Sequence, residues 1–129
     1  MCIKNTKKYP IISRFIETLK KNNKITIYNK DALFNNVIDT FELSKLIERI
    51  FVKKKLTYKT FNVAASKPIK LNKVILLLNK KIKSKSKIVY LTKKNQSYLI
   101  STNKLKKHLN FLPSTTEKII ERNLYGRYS

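Results

Sequence analysis

The sequence is poor in several residue types on which particular classes of protein depend. Cys2 is the only cysteine, so no disulfide can form within the chain, and a reducing compartment is the simpler expectation. Gly126 is the only glycine, which excludes a glycine-rich phosphate-binding loop. No apolar run approaches the roughly 20 residues of a membrane helix, and nothing near Met1 resembles a signal peptide. We therefore expect a cytoplasmic location and no membrane association.

Residue patterns typical of catalysis are also missing. His108 is the only histidine, and no cysteine, aspartate or second histidine stands at metal-ligand spacing from it. There is neither a serine–histidine–aspartate order nor an obvious carboxylate pair. Tyr90 and Lys94 fit the Y-x-x-x-K spacing of short-chain dehydrogenases, but the chain has seven tyrosines and abundant lysine, so chance explains the match. We predict no catalytic residue, no metal site, and no cofactor bound by this chain alone.

Acidic residues are scarce, whereas lysine is very abundant. Seven Asp and Glu residues stand against 30 Lys and Arg residues, which gives a net charge of +23 at pH 7. Only four of the basic residues are arginines, although nucleic-acid readers usually depend on the bidentate arginine fork. The charge predicts salt-sensitive, sequence-independent binding to polyanions in vitro, which need not be the function.

Apolar spacing and capping residues predict a small mixed α/β domain of short strands and four to five helices. Helix starts are indicated by Pro10, by Asp39 or Thr40, by Ser101 or Thr102 and by a capping box at 114–117, and a further helix is predicted over 69–81. Short strands are predicted over 24–28, 33–38, 58–63 and 88–91, with 97–100 extended.

The stretch 56–81 is predicted to organise the fold. The aromatic and β-branched side chains of Tyr58, Phe61 and Val63 favour a half-buried strand. Pro68 then fixes a loop, and the helix that follows ends in lysines, where cations suit the helix dipole. The remaining segments would form the shell that buries this unit.

The chain is long enough for one domain, which we place at 9–124. Residues 1–8 are predicted to form a flexible basic N-terminus and residues 125–129 a flexible tail. The connector 80–87, KKIKSKSK, is interpreted as a solvated surface loop, with a phosphate-binding patch as the alternative.

Five short strings resemble passages in the C-terminal portion of NAD-dependent epimerase/dehydratases, which belong to the extended short-chain dehydrogenases. They occur in the family's order and spacing and cover about 9–124: FIETLKKNNKITIY at 15–28, LFNNVID at 33–39, TFNVAASKPI at 60–69, KIVYL at 87–91 and STNKLKKHLNFLP at 101–113. The Rossmann half of such enzymes, with its glycine-rich turn and catalytic Tyr/Lys helix, has no counterpart here.

The resemblance implies a substrate-binding lobe for a nucleotide-diphosphate sugar, with a weak site at Phe34, Lys93 and Lys94. Phe34 would lie against the nucleotide base, with core packing as the alternative. A family arginine corresponds to about Ala32, and a further one falls near Lys93 or Lys94. A lysine there would hold the pyrophosphate as a point charge and not in the bidentate manner of arginine.

The resemblance further implies that the chain is not catalytic alone, because the family uses NAD and the cofactor-binding half is missing. A remnant of a larger gene, a subunit completed by a separately encoded Rossmann half, and an expressed fragment are all open. The alternative function is that of a small lysine-rich protein that binds nucleic acid non-specifically, which rests on charge alone.

Overall fold

The computed structural model describes residues 10–53, 55–92 and 97–127, with side chains through Leu124. The predicted flexible segment 1–8 and residues 128–129 of the predicted tail lie outside the described residues, and residues 125–127 continue the last helix.

The mixed α/β fold predicted from the sequence is confirmed, with five helices and four short strands in the described residues. In chain order they are α1 (Ile11–Lys20), β1 (Ile25–Tyr28), β2 (Leu33–Phe34), α2 (Thr40–Val52), β3 (Ile69–Lys70), α3 (Leu71–Ile82), β4 (Ile88–Leu91), α4 (Asn103–Leu109) and α5 (Thr116–Arg127). None of the described helices is long and apolar enough to cross a bilayer.

The strands form two separate pairs. β1 and β4 are parallel, in a register that aligns Ile25 with Ile88 and Tyr28 with Leu91. β2 and β3 are antiparallel, and Phe34 aligns with Ile69. A parallel pair needs a long crossover. Here the crossover contains α2 and α3, so the pairing of β1 with β4 closes most of the domain into one unit.

The main hydrophobic cluster lies between α1, α3, α5 and strand β1. Its apolar side chains recur at helical spacing, so each helix turns one face inward. The buried members are Phe15, Leu19, Ile25, Ile27, Leu71, Val74, Ile75, Leu78, Ile120 and Leu124.

A second, smaller cluster joins α2 to α4. Its buried members are Leu46, Leu105, Leu109 and Phe111, and Ile50, Phe61 and Val63 pack against it while remaining partly exposed.

The strand predicted over 58–63 is wrong. These residues are irregular, and regular pairing begins only at Ile69. A strand requires a neighbour for its ladder of hydrogen bonds, and no described segment pairs with 58–63. The strand predicted over 33–38 is likewise limited to Leu33–Phe34, and residues 97–100 are irregular.

One predicted cap is confirmed and another is shifted by a residue. Asp39 caps α2 by accepting a hydrogen bond from the Glu42 amide at 2.9 Å. At the start of α5, Thr115 Oγ1 accepts from the Lys118 amide at 3.3 Å, so Thr115 is the cap and not Ser114. Ser114 instead donates to Glu42, a partner that lies far away in the sequence.

Candidate functional site

Phe34, the first residue of the predicted site, has two kinds of surroundings. It lies in β2, is partly buried, and packs against the main hydrophobic cluster. It also lines an open cavity of about 430 Å³. Core packing and contact with a ligand are therefore compatible for this side chain, since one part of it meets the core and another meets the cavity.

The cavity lies between α1, β1 and β2. It is lined by Ile11, Arg14, Phe15, Thr26, Ile27, Tyr28, Asn29, Ala32, Leu33, Phe34, Asn36, Leu71, Ser97 and Tyr98. Two exposed phenol rings, two amides and the exposed guanidinium of Arg14 are among them, and no carboxylate is. This combination suits a ligand that has an apolar ring and an anionic group.

Lys93 and Lys94, the other two predicted site residues, lie outside the described residues. The residues that flank them are described. Leu91 aligns with Tyr28 in the parallel pair, and its carbonyl accepts from the Asn29 amide at 3.2 Å. Ser97, on the other side, lines the cavity. Leu91 therefore lies beside a cavity-lining strand, and Ser97 lies at the cavity itself.

Asn35 fixes the wall of this cavity and was not singled out by sequence reasoning. Its buried side chain donates to the carbonyls of Ala65 at 3.2 Å and Ile100 at 2.8 Å, and it accepts from the Ile100 amide at 3.0 Å. A buried amide that satisfies three backbone groups ties the irregular 97–100 segment to the end of β2. Ser97 and Tyr98 of this segment line the same cavity as Phe34.

Arg14 was also missed. It stands on the same face of α1 as Ile11 and Phe15, where helical spacing predicts only side-chain packing. Its place at the cavity results from the contact of α1 with β1, which no local pattern reveals.

A separate group of charged side chains joins α2 to α5. Arg122 Nη2 lies 2.7 Å from Asp39 Oδ2 and 3.1 Å from Glu42 Oε1, and the side chains of both acids are almost completely buried. Glu42 also accepts from the hydroxyl of Ser114 at 2.6 Å and from its amide at 3.2 Å. Asn123 donates to Asp39 at 2.8 Å. We call this set the Arg122 network.

The acids of the Arg122 network are held in their charged forms. Burial by itself raises the pKa of Asp39, but hydrogen bonds from the Glu42 amide, Arg122 and Asn123 outweigh it and lower this pKa below its ordinary value. Burial likewise raises the pKa of Glu42, and hydrogen bonds from Ser114 and Arg122 lower it further than burial raises it. Both carboxylates therefore hold α2 and α5 together as ionised partners of Arg122.

Acidification is expected to destabilise the protein through these two carboxylates. Their pKa values are lower in the folded than in the unfolded chain, so their stabilising effect is present above about pH 4 and is lost as the pH falls through the folded values. Urea denaturation at pH 7, 5, 4 and 3 in high salt measures this loss, because the salt screens the general charge repulsion. The variant Glu42→Gln should show a smaller loss, and an unchanged pH dependence would contradict the assignment.

The described residues include no group of three His, Cys, Asp or Glu side chains placed to hold a metal ion. The surroundings of His108 are aromatic, since its ring meets that of Tyr58 edge-on at 4.5 Å between centroids.

Comparison with known proteins identifies the fold. No family model matches the sequence, and no curated protein matches it. Among solved structures, the UDP-N-acetylglucosamine 4-epimerase of Bacillus cereus superposes with a TM-score of 0.69 at 20% identity, over 95% of this chain and 41% of that one. The UDP-glucose 4-epimerase of Thermotoga maritima, solved with UDP-glucose, gives 0.68 at 15% identity, over 90% and 38%.

A third neighbour is the dTDP-glucose 4,6-dehydratase of Bacillus anthracis, solved in complex with NAD. Its TM-score is 0.65 at 15% identity, and the match covers 92% of this chain and 40% of that one. The present chain therefore has the fold of a part of nucleotide-sugar epimerases and dehydratases, and it spans about two-fifths of their length.

Proposed function

We propose that this chain corresponds to the substrate-binding lobe of a nucleotide-sugar epimerase or dehydratase and does not catalyse a reaction by itself. The observation that supports this most strongly is the fold, because nearly the whole chain superposes on enzymes whose names specify nucleotide sugars. The five sequence strings that resemble the C-terminal portion of such enzymes support it independently.

The proposed binding site is the cavity at Phe34. Its volume of about 430 Å³ is within the range of small-molecule pockets, which is roughly 300–1,000 Å³. Phe34 would contact the base, while Arg14, Lys93 and Lys94 would supply positive charge to the diphosphate. Arg14 was not part of the site predicted from the sequence. Its guanidinium can form bidentate hydrogen bonds to a phosphate.

Catalysis would require a Rossmann half in addition to this lobe. Epimerisation and dehydration in this family use NAD, and the resemblance places the NAD-binding residues in that half, which has no counterpart in the given sequence. A separately encoded Rossmann half, or the remainder of a longer chain of which this is a fragment, would supply them. Alternatively, the chain is a remnant of a larger gene that binds a nucleotide sugar but does not catalyse a reaction.

Titration with UDP-glucose, followed by NMR, tests the site. A cavity with one open wall leaves the diphosphate largely in water, so we expect a dissociation constant of millimolar order, or about −4 kcal/mol. Amide shifts should appear around Phe34 and Tyr98, and Lys93→Ala combined with Lys94→Ala should abolish them. The matched control is Lys85→Ala with Lys87→Ala in the connector 80–87, which removes the same charge away from the cavity.

Shifts that cluster on the connector 80–87, or that survive the Lys93/Lys94 double substitution, would show that the proposed site is wrong. Titration with NAD should produce no saturable shift. Low-micromolar NAD binding would contradict the proposal that this lobe binds no cofactor by itself.

A further inference from the structure

The connector 80–87 presents alternate residues to solvent. Its two serines, Ser84 and Ser86, are partly buried. The lysines on either side of the serines are exposed, and we call them the lysine strip: Lys83, Lys85 and Lys87. Ile82 and Ile88, just before and after the strip, are partly buried and pack against the main hydrophobic cluster. The strip therefore follows the surface of the domain, and its ammonium groups reach solvent.

Hydrogen bonds to the end of α1 hold the connector in place. The Ser84 hydroxyl donates to the Leu19 carbonyl at 2.5 Å, and the Lys85 amide donates to the side-chain oxygen of Asn22 at 2.8 Å. Within the connector, the Ser86 amide donates to the Ser84 hydroxyl at 3.1 Å. The backbone of the lysine strip is therefore ordered in the free protein, so a ligand does not have to order it on binding.

Strand β4 sets the spacing of these lysines. Lys87 directly precedes β4, and its carbonyl accepts from the Ile25 amide at 2.9 Å. Alternate residues of a strand stand about 6.6 Å apart. Successive phosphates of one DNA strand are separated by about 3.4 Å along the helix axis and by a further step around its circumference, which brings their distance close to that of the lysines. Lys24 is exposed beside Lys87, since Ile25 aligns with Ile88 in the parallel pair.

The sequence around the lysine strip contains no acid that could neutralise it. Neither 18–30 nor 71–116 includes an aspartate or a glutamate, and the strip and Lys24 lie within these ranges. Glu17, one turn before the end of α1, faces Lys21 at 3.1 Å. The positive potential at the strip is therefore not cancelled locally, and it attracts anionic polymers.

The residue types at the lysine strip favour the phosphate backbone of a duplex over other anionic surfaces. Membrane-surface segments combine lysines with apolar side chains that enter the bilayer, and single-stranded nucleic acids are held by stacking on aromatic rings. Neither 83–87 nor the adjacent 20–24 contains an apolar or aromatic residue. A duplex needs neither feature, because its phosphates face outward.

We propose that the lysine strip, with Lys24 beside it, is the surface on which this chain binds the phosphate backbone of a nucleic-acid duplex without reading its sequence. The strip lies where β1 and β4 begin, whereas Tyr28 and Asn29, which line the cavity at Phe34, lie where β1 ends. The two surfaces are therefore distinct, and this inference does not rest on the nucleotide-sugar site.

Fluorescence anisotropy with a short DNA duplex of mixed sequence tests this assignment. Replacing all three lysines of the strip by alanine should weaken binding by roughly a hundredfold at about 0.1 M salt, because each lost phosphate contact removes about 0.9 from the salt slope. The matched control replaces Lys53, Lys55 and Lys59, which are also exposed, and should weaken binding by less than about fivefold. NMR should show amide shifts at 22–25 and 83–88.

Asn22→Gly separates an ordered strip from charge alone. Asn22 has a φ of 53°, which glycine adopts readily, so the variant removes the side chain that holds the Lys85 amide but keeps every charge. Duplex binding should weaken by roughly three- to fivefold with an unchanged salt slope, because the loosened connector must then be ordered on binding. Hydrogen exchange of the Lys85 amide should become faster in the free variant.

Equal effects of the two triple variants, shifts spread over all the lysine-rich surfaces, or unchanged binding by Asn22→Gly would each overturn the proposal. Vesicles of phosphatidylcholine and phosphatidylserine provide a further comparison. If the triple substitution in the strip abolished vesicle binding and left duplex binding intact, the strip would be a membrane-binding surface and the proposal would be wrong. The UDP-glucose titration reports on other residues, so the two proposals fail separately.

Discussion

Glu42→Ala is expected to lower the free energy of unfolding by about 3 kcal/mol. The carboxylate of Glu42 is almost completely buried and accepts three hydrogen bonds, two from Ser114 and one from Arg122. Its removal leaves the Ser114 hydroxyl and amide without their partner. Arg122 then keeps Asp39 as its acidic partner, with its guanidinium over the Phe41 ring. Urea denaturation with linear extrapolation measures the decrease in stability.

Glu48→Ala is the matched control, because Glu48 is an exposed glutamate in the same helix. The two variants remove the same charge and change the intrinsic helix propensity in the same way. Glu42 also lies in the first turn of α2, where the helix dipole favours an acid by about 0.3–1 kcal/mol, so a loss well above that amount reports the buried interactions. We expect the control to change stability by no more than about 0.5 kcal/mol. If Glu42→Ala cost no more than the control, the Arg122 network would not stabilise the packing of α2 against α5.

Binding to a DNA duplex of mixed sequence is expected to weaken by roughly a thousandfold between about 50 and 200 mM salt. The physical reason is counterion release, since each lysine that pairs with a phosphate frees a condensed cation and this gain shrinks as salt rises. Fluorescence anisotropy over a salt series measures the slope. Replacing the exposed Lys83, Lys85 and Lys87 by alanine should lower the slope by about 0.9 for each of these lysines that pairs with a phosphate.

A duplex of scrambled sequence serves as the control for specificity and should bind equally well. Tight binding of one particular sequence or stem-loop at physiological salt would contradict this expectation. It would favour the alternative in which nucleic-acid binding is the function of the chain.

The helices were the part of the fold that the sequence predicted best. The apolar rows of α1 and α3 recur at helical spacing, and Asp39 caps α2 as expected, because these features depend on residues only a few positions apart. The strand at 88–91 was also predicted with the bounds of β4. The sequence also predicted a strand at the position of β1, but it did not predict that β1 pairs with β4 in parallel. That pairing and its register depend on the whole crossover between the two strands.

The incorrect predictions share a cause. Residues 58–63 have strand-forming side chains, yet a strand exists only when another segment lies beside it, and in the described chain none does. Ser114 has the spacing of a helix cap, but its hydroxyl is used by Glu42, which lies 72 positions away. In both cases the outcome depends on segments far away in the chain: residues 58–63 find no partner strand, and Ser114 finds a partner in Glu42.

Sequence reasoning named only some of the residues discussed at the candidate site, for the same reason. Phe34 and the lysine pair came from a resemblance to a family, whereas Arg14, Asn35 and Tyr98 gave no local signal. Arg14 belongs to α1 and Tyr98 to the segment after β4, and only the folded chain brings both to one cavity, with Asn35 tying that segment to the end of β2.

The amino-acid sequence by itself determined the strong positive charge, the absence of a disulfide and of a glycine-rich loop, and the positions of the main helices. Each of these follows from composition or from interactions within a few residues. The tertiary structure alone decided which strands pair and which polar groups are buried together in the Arg122 network. These depend on interactions between segments far apart in the chain, whose free energy is gained only when the backbone brings them together.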